Sequence, residues 1–116
     1  MKILITIRGN NVAPRFDLTT EVLIALCENK QILGNPRNIV MTRPSSEDLC
    51  ALIIKEDINM VVCGGIEESH LQYLAWKKIQ VIDSVIGPCT EALKVASADI
   101  LQPGTILPGA KQKENR

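Results

Sequence analysis

The sequence predicts a single α/β domain built on a mixed, five-stranded sheet with helices on both faces. Two observations lead to this prediction. The apolar run Met60–Val62 lies between a polar turn and the glycine pair Gly64–Gly65, which is typical of a short strand buried on both faces. The residues that follow, 66–78, place apolar side chains at helical spacing, and a strand followed by a helix is the repeating unit of a parallel sheet.

The first half of the chain predicts three strands joined by turns. Lys2–Arg8 is largely apolar and ends at a glycine and two asparagines, which favour turns. Glu21–Cys27 is a second apolar strand, and residues 29–30 predict a hairpin turn into the third strand, Ile32–Met41. Because Pro36 cannot donate a ladder hydrogen bond, we expect this third strand at an edge of the sheet.

The second half predicts helices that alternate with strands. Ser45 and Asp48 form a capping-box pattern, in which each side chain satisfies a free amide at the start of a helix. Pro88 fits the first turn of the last helix, where a missing amide costs nothing. The predicted helices span about 45–56, 66–78 and 87–98, and the last strand is Ile79–Asp83.

This order of elements is an antiparallel meander followed by two right-handed crossovers. If the first strand pairs with the fourth, the sheet order is 3-2-1-4-5, the ribonuclease H-like arrangement; a flavodoxin-like sheet is the alternative. We expect residues 1–102 to form this domain and residues 103–116 an irregular C-terminal tail, because prolines and glycines interrupt regular structure there. The polar end, 111–116, is expected to be frayed.

Composition narrows the classes of function. The chain has 116 residues, no formal net charge and three aromatic side chains, so it lacks the basic stripe and stacking aromatics of a nucleic-acid binder. It shows neither a signal peptide nor an apolar run that could span a bilayer, and we expect a cytoplasmic protein without membrane partners. In a reducing compartment the four cysteines are expected to be thiols.

Two common activities of α/β folds are excluded because the sequence lacks the residues that they require. Nucleases of the ribonuclease H type hold metal ions with carboxylates on the first and fourth strands, and neither predicted strand carries an acid. A dinucleotide site would require Gly-x-Gly-x-x-Gly after the first strand, and no phosphate-binding Gly-Lys-Ser/Thr loop occurs either.

Three loops, 9–20, 63–66 and 84–89, follow neighbouring strands and are expected to meet at one edge of the sheet. Glycines in the second loop would let the backbone approach a ligand while amides of the following helix attract an anion. The residues expected to bind a ligand are Arg8, Asn10, Arg15, Phe16, Gly64, Gly65 and Ile66. Those expected to approach a metal are Cys63, Cys89 and His70.

Each of these metal-ligand candidates has a simpler explanation. Cys63 and Cys89 lie near predicted helix starts, where a thiolate would be stabilised, but free cysteines are often core residues. His70 is either a ligand reaching over the edge or a packed surface residue. Cys27 and Cys50 fit core positions, and the absence of Cys-x-x-Cys argues against a zinc ribbon or ferredoxin-type cluster.

Two segments resemble the dinitrogenase iron–molybdenum cofactor biosynthesis family. The loop Val12–Asp17, followed by a strand, resembles that family's Pro-x-Phe-Gly loop. Met60–Ile66, a helix, Ile79–Ile82, Gly87 and then Glu91–Leu93 resemble its second half. The similarity spans Lys2 to about Ala98, but Asp17 stands where the family often has glycine, and many relatives lack cysteines at positions 63 and 89.

The resemblance implies a ribonuclease H-like, cofactor-binding domain without nuclease activity, and we expect a binding protein that is not an enzyme. Family members carry or accept metal–sulfur clusters, and they include the orange protein of anaerobic bacteria, which holds a molybdenum–copper sulfide cluster non-covalently. For this chain it implies non-covalent binding of a molybdenum-containing sulfide cluster, with copper or iron, by loops. A cofactor-assembly or acceptor protein is the implied partner, and we expect a monomer or weak dimer.

Two other functions remain open at this stage. Cys89, at a helix start near arginines, fits the persulfide-carrying nucleophile of a sulfurtransferase. The edge strand or the helix containing Tyr73 and Trp76 fits an interaction module that binds no cluster.

Overall fold

In the computed structural model, which describes residues 1–110, a six-stranded mixed sheet is flanked by three α-helices. The α/β class and the mixed sheet are therefore confirmed. The strands are β1 (Lys2–Arg8), β2 (Asn11–Val12), β3 (Glu21–Glu28), β4 (Gln31–Val40), β5 (Met60–Val62) and β6 (Gln80–Ile82). The helices are α1 (Ser46–Lys55), α2 (Glu68–Trp76) and α3 (Cys89–Ser97), and a 3₁₀ turn spans Phe16–Leu18.

The path through the sheet is β4-β3-β1-β5-β6, with β2 paired to β1 beside this path. β1 runs antiparallel to β3 and parallel to β5, and β5 runs parallel to β6. The predicted number of five strands is therefore too small by one. Residues 11–12, which were predicted to lie in a loop, form the short strand β2. Arg8 pairs with Asn11, so only Gly9 and Asn10 form the turn between β1 and β2, and Gly9 has the positive φ, 62°, that such short turns require.

Strand β1 separates two hydrophobic cores because its alternate side chains point to opposite faces of the sheet. Ile3 and Ile5 pack in the core that is covered by α3. Leu4 packs in the core that is covered by α1 and α2, through residues such as Leu49 and Leu74. Helices thus cover both faces, and the parallel strands β1 and β5 are buried between them.

The β3–β4 hairpin extends away from these cores. Asn29 and Lys30 both have positive φ, 53° and 63°, as a type I′ hairpin turn requires. β4 lies at the end of the strand path, and its side chains are mostly exposed. The strand that contains Pro36 is therefore an edge strand, where the missing amide leaves no gap inside the sheet.

The predicted tail, 103–116, is described only as far as residue 110. These residues form turns and one isolated bridge, between Ile106 and Ile86, and Leu107 is buried in the core under α3. The end predicted to be frayed, 111–116, lies outside the described residues. Within residues 1–110 no helix is long and apolar enough to cross a membrane.

The burial of β1 predicts the cost of truncating it. Leu4 is fully buried, so Leu4→Ala should lower the free energy of unfolding by about 2–5 kcal/mol through lost burial and a residual cavity. Leu26→Ala, on the neighbouring strand, removes a side chain that is 48% exposed and should cost about 1 kcal/mol or less. Urea unfolding followed by far-ultraviolet circular dichroism measures both, and equal losses would contradict the assigned core.

Candidate functional site

The loop after β1 and the loop after β5 are joined by their main chains. The Gly65 N–H donates to the Pro14 carbonyl oxygen, and the Phe16 N–H donates to the Gly65 carbonyl oxygen, both at 2.8 Å. This pairing makes an isolated parallel bridge between Arg15 and Gly65. The two loops therefore behave as a short extension of the sheet beyond its strand ends.

The loop after β6 joins the same assembly. The Cys89 N–H donates to the Asn10 carbonyl oxygen at 2.8 Å, and the Val12 N–H donates to the Gly87 carbonyl oxygen at 2.9 Å. The Ser84 N–H donates to the Gly64 carbonyl oxygen at 2.9 Å and so links this loop to the second one. All three loops meet at one edge of the sheet, as their positions after neighbouring strands predict.

Gly64 lies where the first two loops come closest together. A Cβ atom on Gly64 would stand 2.3 Å from the Pro14 carbonyl oxygen and 2.4 Å from that of Ala13, distances that real Cβ atoms do not show. The glycine is thus required by the close approach of two backbones. A Cβ on Gly65 would meet the Pro14 oxygen at an ordinary 3.6 Å, so the two glycines have different roles.

One amide of the glycine pair is already used between the loops. The Gly65 N–H donates to the Pro14 carbonyl oxygen, so it is not available to an anion in this conformation. Helix α2 begins at Glu68 instead of Ile66, and Glu67 occupies its N-cap without a capping hydrogen bond. Two carboxylates at this helix start oppose an anion, and Ile66 packs half-buried against the core under α1 and α2.

A cleft of about 420 Å³ lies beside the first loop, at the carboxyl end of β1. Its lining includes Arg8 and Arg15, two of the predicted ligand-binding residues, together with Gly9 of the turn. Its other polar residues are Thr19, Thr20 and Glu21. The cleft therefore combines two cations, two hydroxyl groups and one carboxylate at the edge where the loops meet.

The charge of Arg15 is largely compensated within its own loop. Its Nε and Nη2 atoms donate to the two carboxylate oxygens of Asp17 at 3.0 and 2.6 Å. The hydrogen bond from Arg15 lowers the pKa of Asp17, and the same pair raises the pKa of Arg15. Arg8 has no ion pair with any residue of the described chain, so it is the less compensated cation of the cleft.

The two candidate thiols lie on opposite faces of the sheet. Cys63 is fully buried in the core under α1 and α2, whereas Cys89 packs against the core under α3. Burial, with a smaller contribution from Asp83, raises the pKa of Cys63 to about 12. Burial also raises the pKa of Cys89, although the amides of Cys89 and Thr90 act in the opposite direction. These shifts in pKa oppose the expected stabilisation of thiolates at helix starts.

His70 belongs to a second cleft, of about 400 Å³, between α1 and α2. Its ring stacks on Phe16 with centroids 6.2 Å apart, which buries Phe16 in the core beneath it. Nδ1 lies 3.6 Å from a Glu67 carboxylate oxygen, and Nε2 lies 4.0 Å from one of Glu47. Cys63, Cys89 and His70 do not form one metal site, since residues 1–110 contain no group of three or more His, Cys, Asp or Glu side chains placed to hold a metal ion.

Three polar residues that complete the first cleft were not predicted from the sequence. Thr19, Thr20 and Glu21 line it because the antiparallel return of β3 begins beside the end of β1, where Ile7 pairs with Glu21. The predicted strand order could have indicated these residues. A strand that starts at Glu21 and pairs with the first strand must begin beside the first loop.

Solved structures with the same fold are known. A protein known as PH0822 superposes with a TM-score of 0.76 at 18% sequence identity, covering 89% of this chain and 94% of that one. A protein from Methanocaldococcus jannaschii provisionally named a dinitrogenase gives a TM-score of 0.70 at 19% identity, covering 88% and 92%. A Thermotoga protein provisionally named NifB, of the DUF35 family, superposes with a TM-score of 0.67 at 14% identity. The match covers 97% of this chain and 97% of that one.

Sequence comparison adds no assignment. No protein-family model matches the chain, and no curated protein matches it. At identities of 14–19%, the structural similarities establish that these proteins share an α/β fold over nearly their whole length.

The glycine pair provides a matched test of the joined loops. Gly64→Ala should lower the free energy of unfolding by about 1–3 kcal/mol or more, because the new methyl group meets two carbonyl oxygens that belong to the backbone. Gly65→Ala should change it by less than about 1 kcal/mol, since its Cβ has ordinary space. Urea unfolding measures both variants. Equal stability of the two would show that the loops are not packed as described.

Proposed function

We propose that this protein is a non-catalytic carrier of an anionic metal–sulfur cluster, of the molybdenum–copper sulfide or iron–molybdenum cofactor type. The observation that carries the proposal is the cleft at the loop edge, with Arg8 and Arg15 in its lining. Open α/β folds bind ligands at the carboxyl ends of their strands, and this cleft lies at that end of β1. The cluster is the cargo of the protein and is held without a covalent bond.

The wider assignment is part of the same proposal. The strand path and the loop Val12–Asp17 support a ribonuclease H-like member of the dinitrogenase iron–molybdenum cofactor biosynthesis family. Structural neighbours provisionally named dinitrogenase and NifB support a role connected with nitrogenase cofactors. A cofactor-assembly or acceptor protein is then the partner that receives the cargo.

Charge compensation by arginine is the proposed means of binding. An arginine keeps its charge at any physiological pH and donates several hydrogen bonds in a plane, which suits a multiply charged sulfide surface. The cysteines are poorer candidates, because burial raises the pKa of both thiols and so opposes the thiolate form that binds metals. Cluster binding in this proposal therefore needs no ligand from the protein's sulfur atoms.

Asp17 sets the strength of this site. Its carboxylate accepts from two of the three guanidinium nitrogens of Arg15, Nε and Nη2, so an anion in the cleft competes with Asp17 for the same guanidinium. Release of Arg15 from Asp17 would place a second full cation against the cargo. The affinity of the cleft for anions is thus limited by a residue of its own loop.

We expect opposite effects from two substitutions in this loop. Arg8→Gln should weaken cluster binding by about tenfold or more, because a charge-assisted contact is lost. Asp17→Asn should strengthen binding, because it frees Arg15. Lys55→Gln removes a charge from the last turn of α1, outside the cleft, and serves as the control.

Anaerobic reconstitution measures these effects. The protein is incubated with thiomolybdate plus copper, and separately with iron–molybdenum cofactor, and binding is followed by absorbance and elemental analysis. If neither cluster charges the parent protein stoichiometrically, or if Arg8→Gln binds as the parent does, the proposal is overturned.

One observation favours a second candidate function. Of the four cysteines only Cys89 is partly exposed, and it lies at the start of α3, so a sulfurtransferase would use it to carry a persulfide. A thiosulfate-to-cyanide sulfur transfer assay distinguishes this function from the carrier. Turnover that disappears in Cys89→Ala would establish the enzyme, and a parent without turnover would remove it.

A further inference from the structure

Residues 104–107 form a fourth segment at the loop edge, the C-terminal strap, which pairs with the loop after β6. The Ile86 N–H donates to the Thr105 carbonyl oxygen at 3.0 Å, and the Leu107 N–H donates to the Ile86 carbonyl oxygen at 2.8 Å. These two hydrogen bonds accompany the parallel bridge between Ile86 and Ile106. The strap is therefore attached to the loop by the main chain, in the manner of a short strand.

Leu107 anchors the strap to the domain. It is 3% exposed and belongs to the core under α3, whereas the neighbouring Ile106 is 60% exposed. Leu107 also packs so closely on Gly87 that a Cβ atom on this glycine would stand 2.8 Å from the Leu107 Cβ. The apolar burial of the strap is thus concentrated in one side chain, which contacts the loop after β6 directly.

The loop after β6 also pairs with strand β2. Asn11 and Pro88 form an antiparallel bridge, and the Val12 N–H donates to the Gly87 carbonyl oxygen at 2.9 Å. The same short loop therefore contacts both β2 and the strap. Its position, and with it the position of β2, depends on both contacts.

The backbone of Arg8 depends in turn on β2. Arg8 is the last residue of β1, and the pairing of β1 with β3 ends at Ile7, while its pairing with β5 ends at Ile5. Among the strands of residues 1–110, Arg8 pairs only with Asn11 of β2. The less compensated cation of the first cleft is therefore held in the sheet through β2.

We propose that Leu107 is a positioning residue for the anion cleft. It fixes the strap on the loop after β6, this loop fixes β2, and β2 fixes the backbone of Arg8. The inference rests on the proposed carrier function, in which Arg8 meets the cargo. Leu107 does not line the cleft, so it acts on the cargo only by keeping Arg8 in place before binding.

Amide hydrogen exchange tests this chain of contacts without any cluster. The Val12 and Cys89 amides join β2 and its turn to the loop after β6, whereas the Phe16 and Gly65 amides join the other two loops. In Leu107→Ala the first pair should exchange about tenfold faster or more relative to the second pair, because the strap holds only the first. A general loss of stability would accelerate all four amides alike.

Three further variants make the exchange measurement specific. Ile106→Ala removes the exposed neighbour and should leave exchange unchanged. Leu4→Ala removes a buried leucine from the other core and should not separate the two pairs of amides. Leu107→Val deletes less volume and should act in the same direction to a smaller extent, which keeps the test decisive if Leu107→Ala does not fold. If the Leu107 variants accelerate all four amides alike, or if Ile106→Ala acts as they do, the proposal is overturned.

Anaerobic reconstitution with thiomolybdate plus copper tests the consequence for the cargo. Leu107→Ala should weaken cluster binding several-fold in the parent but by less than about twofold when Arg8→Gln is already present, because its effect passes through Arg8. Equal losses in the two backgrounds would overturn the role of Leu107 in positioning Arg8. A parent that takes up no cluster would overturn the carrier function instead, and the exchange pattern would then decide whether Leu107 holds the strand pairing of Arg8.

Discussion

The contact between the backbone of residues 13–16 and that of Gly64–Gly65 is the constraint on which the loop edge depends. Two hydrogen bonds of 2.8 Å join these segments, and Gly64 lies so close to two carbonyl oxygens that no side chain fits there. Because the first loop is held against the second, it is fixed in space by main-chain atoms. The cleft that is lined by Arg8 and Glu21 lies beside this fixed loop.

The same packing decides which side chains are available for chemistry. Joining the loops buries Cys63 beneath them and uses the Gly65 N–H, so neither group can meet a ligand in this conformation. The polar groups that line the cleft at this edge are arginines, hydroxyl groups and the carboxylate of Glu21. Such groups recognise an anion by its charge and shape, which is what the proposed carrier function requires.

Periodicity and turn chemistry made much of the fold predictable. Apolar runs located β1, β3 and β5, and Pro36 correctly indicated the edge strand. The short strand β2 was missed because two residues carry no periodic signal, although Gly9 and Asn10 are suited to a tight hairpin. The helix after the glycine pair was predicted to start at residue 66, two residues before its observed start at Glu68. The bridge between Arg15 and Gly65 is a long-range contact that the local sequence does not encode.

The site was less predictable than the fold because it depends on which side of a strand each residue faces. Val62 and Cys63 are adjacent in sequence but point to opposite cores, so proximity at a strand end did not bring Cys63 and Cys89 together. Arg15 was expected to meet an anion, and only the side-chain geometry shows that Asp17, two residues away, already holds it. Gly64 was predicted to let a ligand approach the backbone. In the structure it lets the backbone of the first loop approach instead.

The fixed loop edge can be tested most directly by amide hydrogen exchange measured with nuclear magnetic resonance. The amides of Phe16 and Gly65 donate between the first two loops, and those of Val12 and Cys89 join the third. They should exchange as slowly as amides of the neighbouring strands, because opening them requires the loops to separate. Exchange of these four amides at the rate of an unstructured chain would contradict the account.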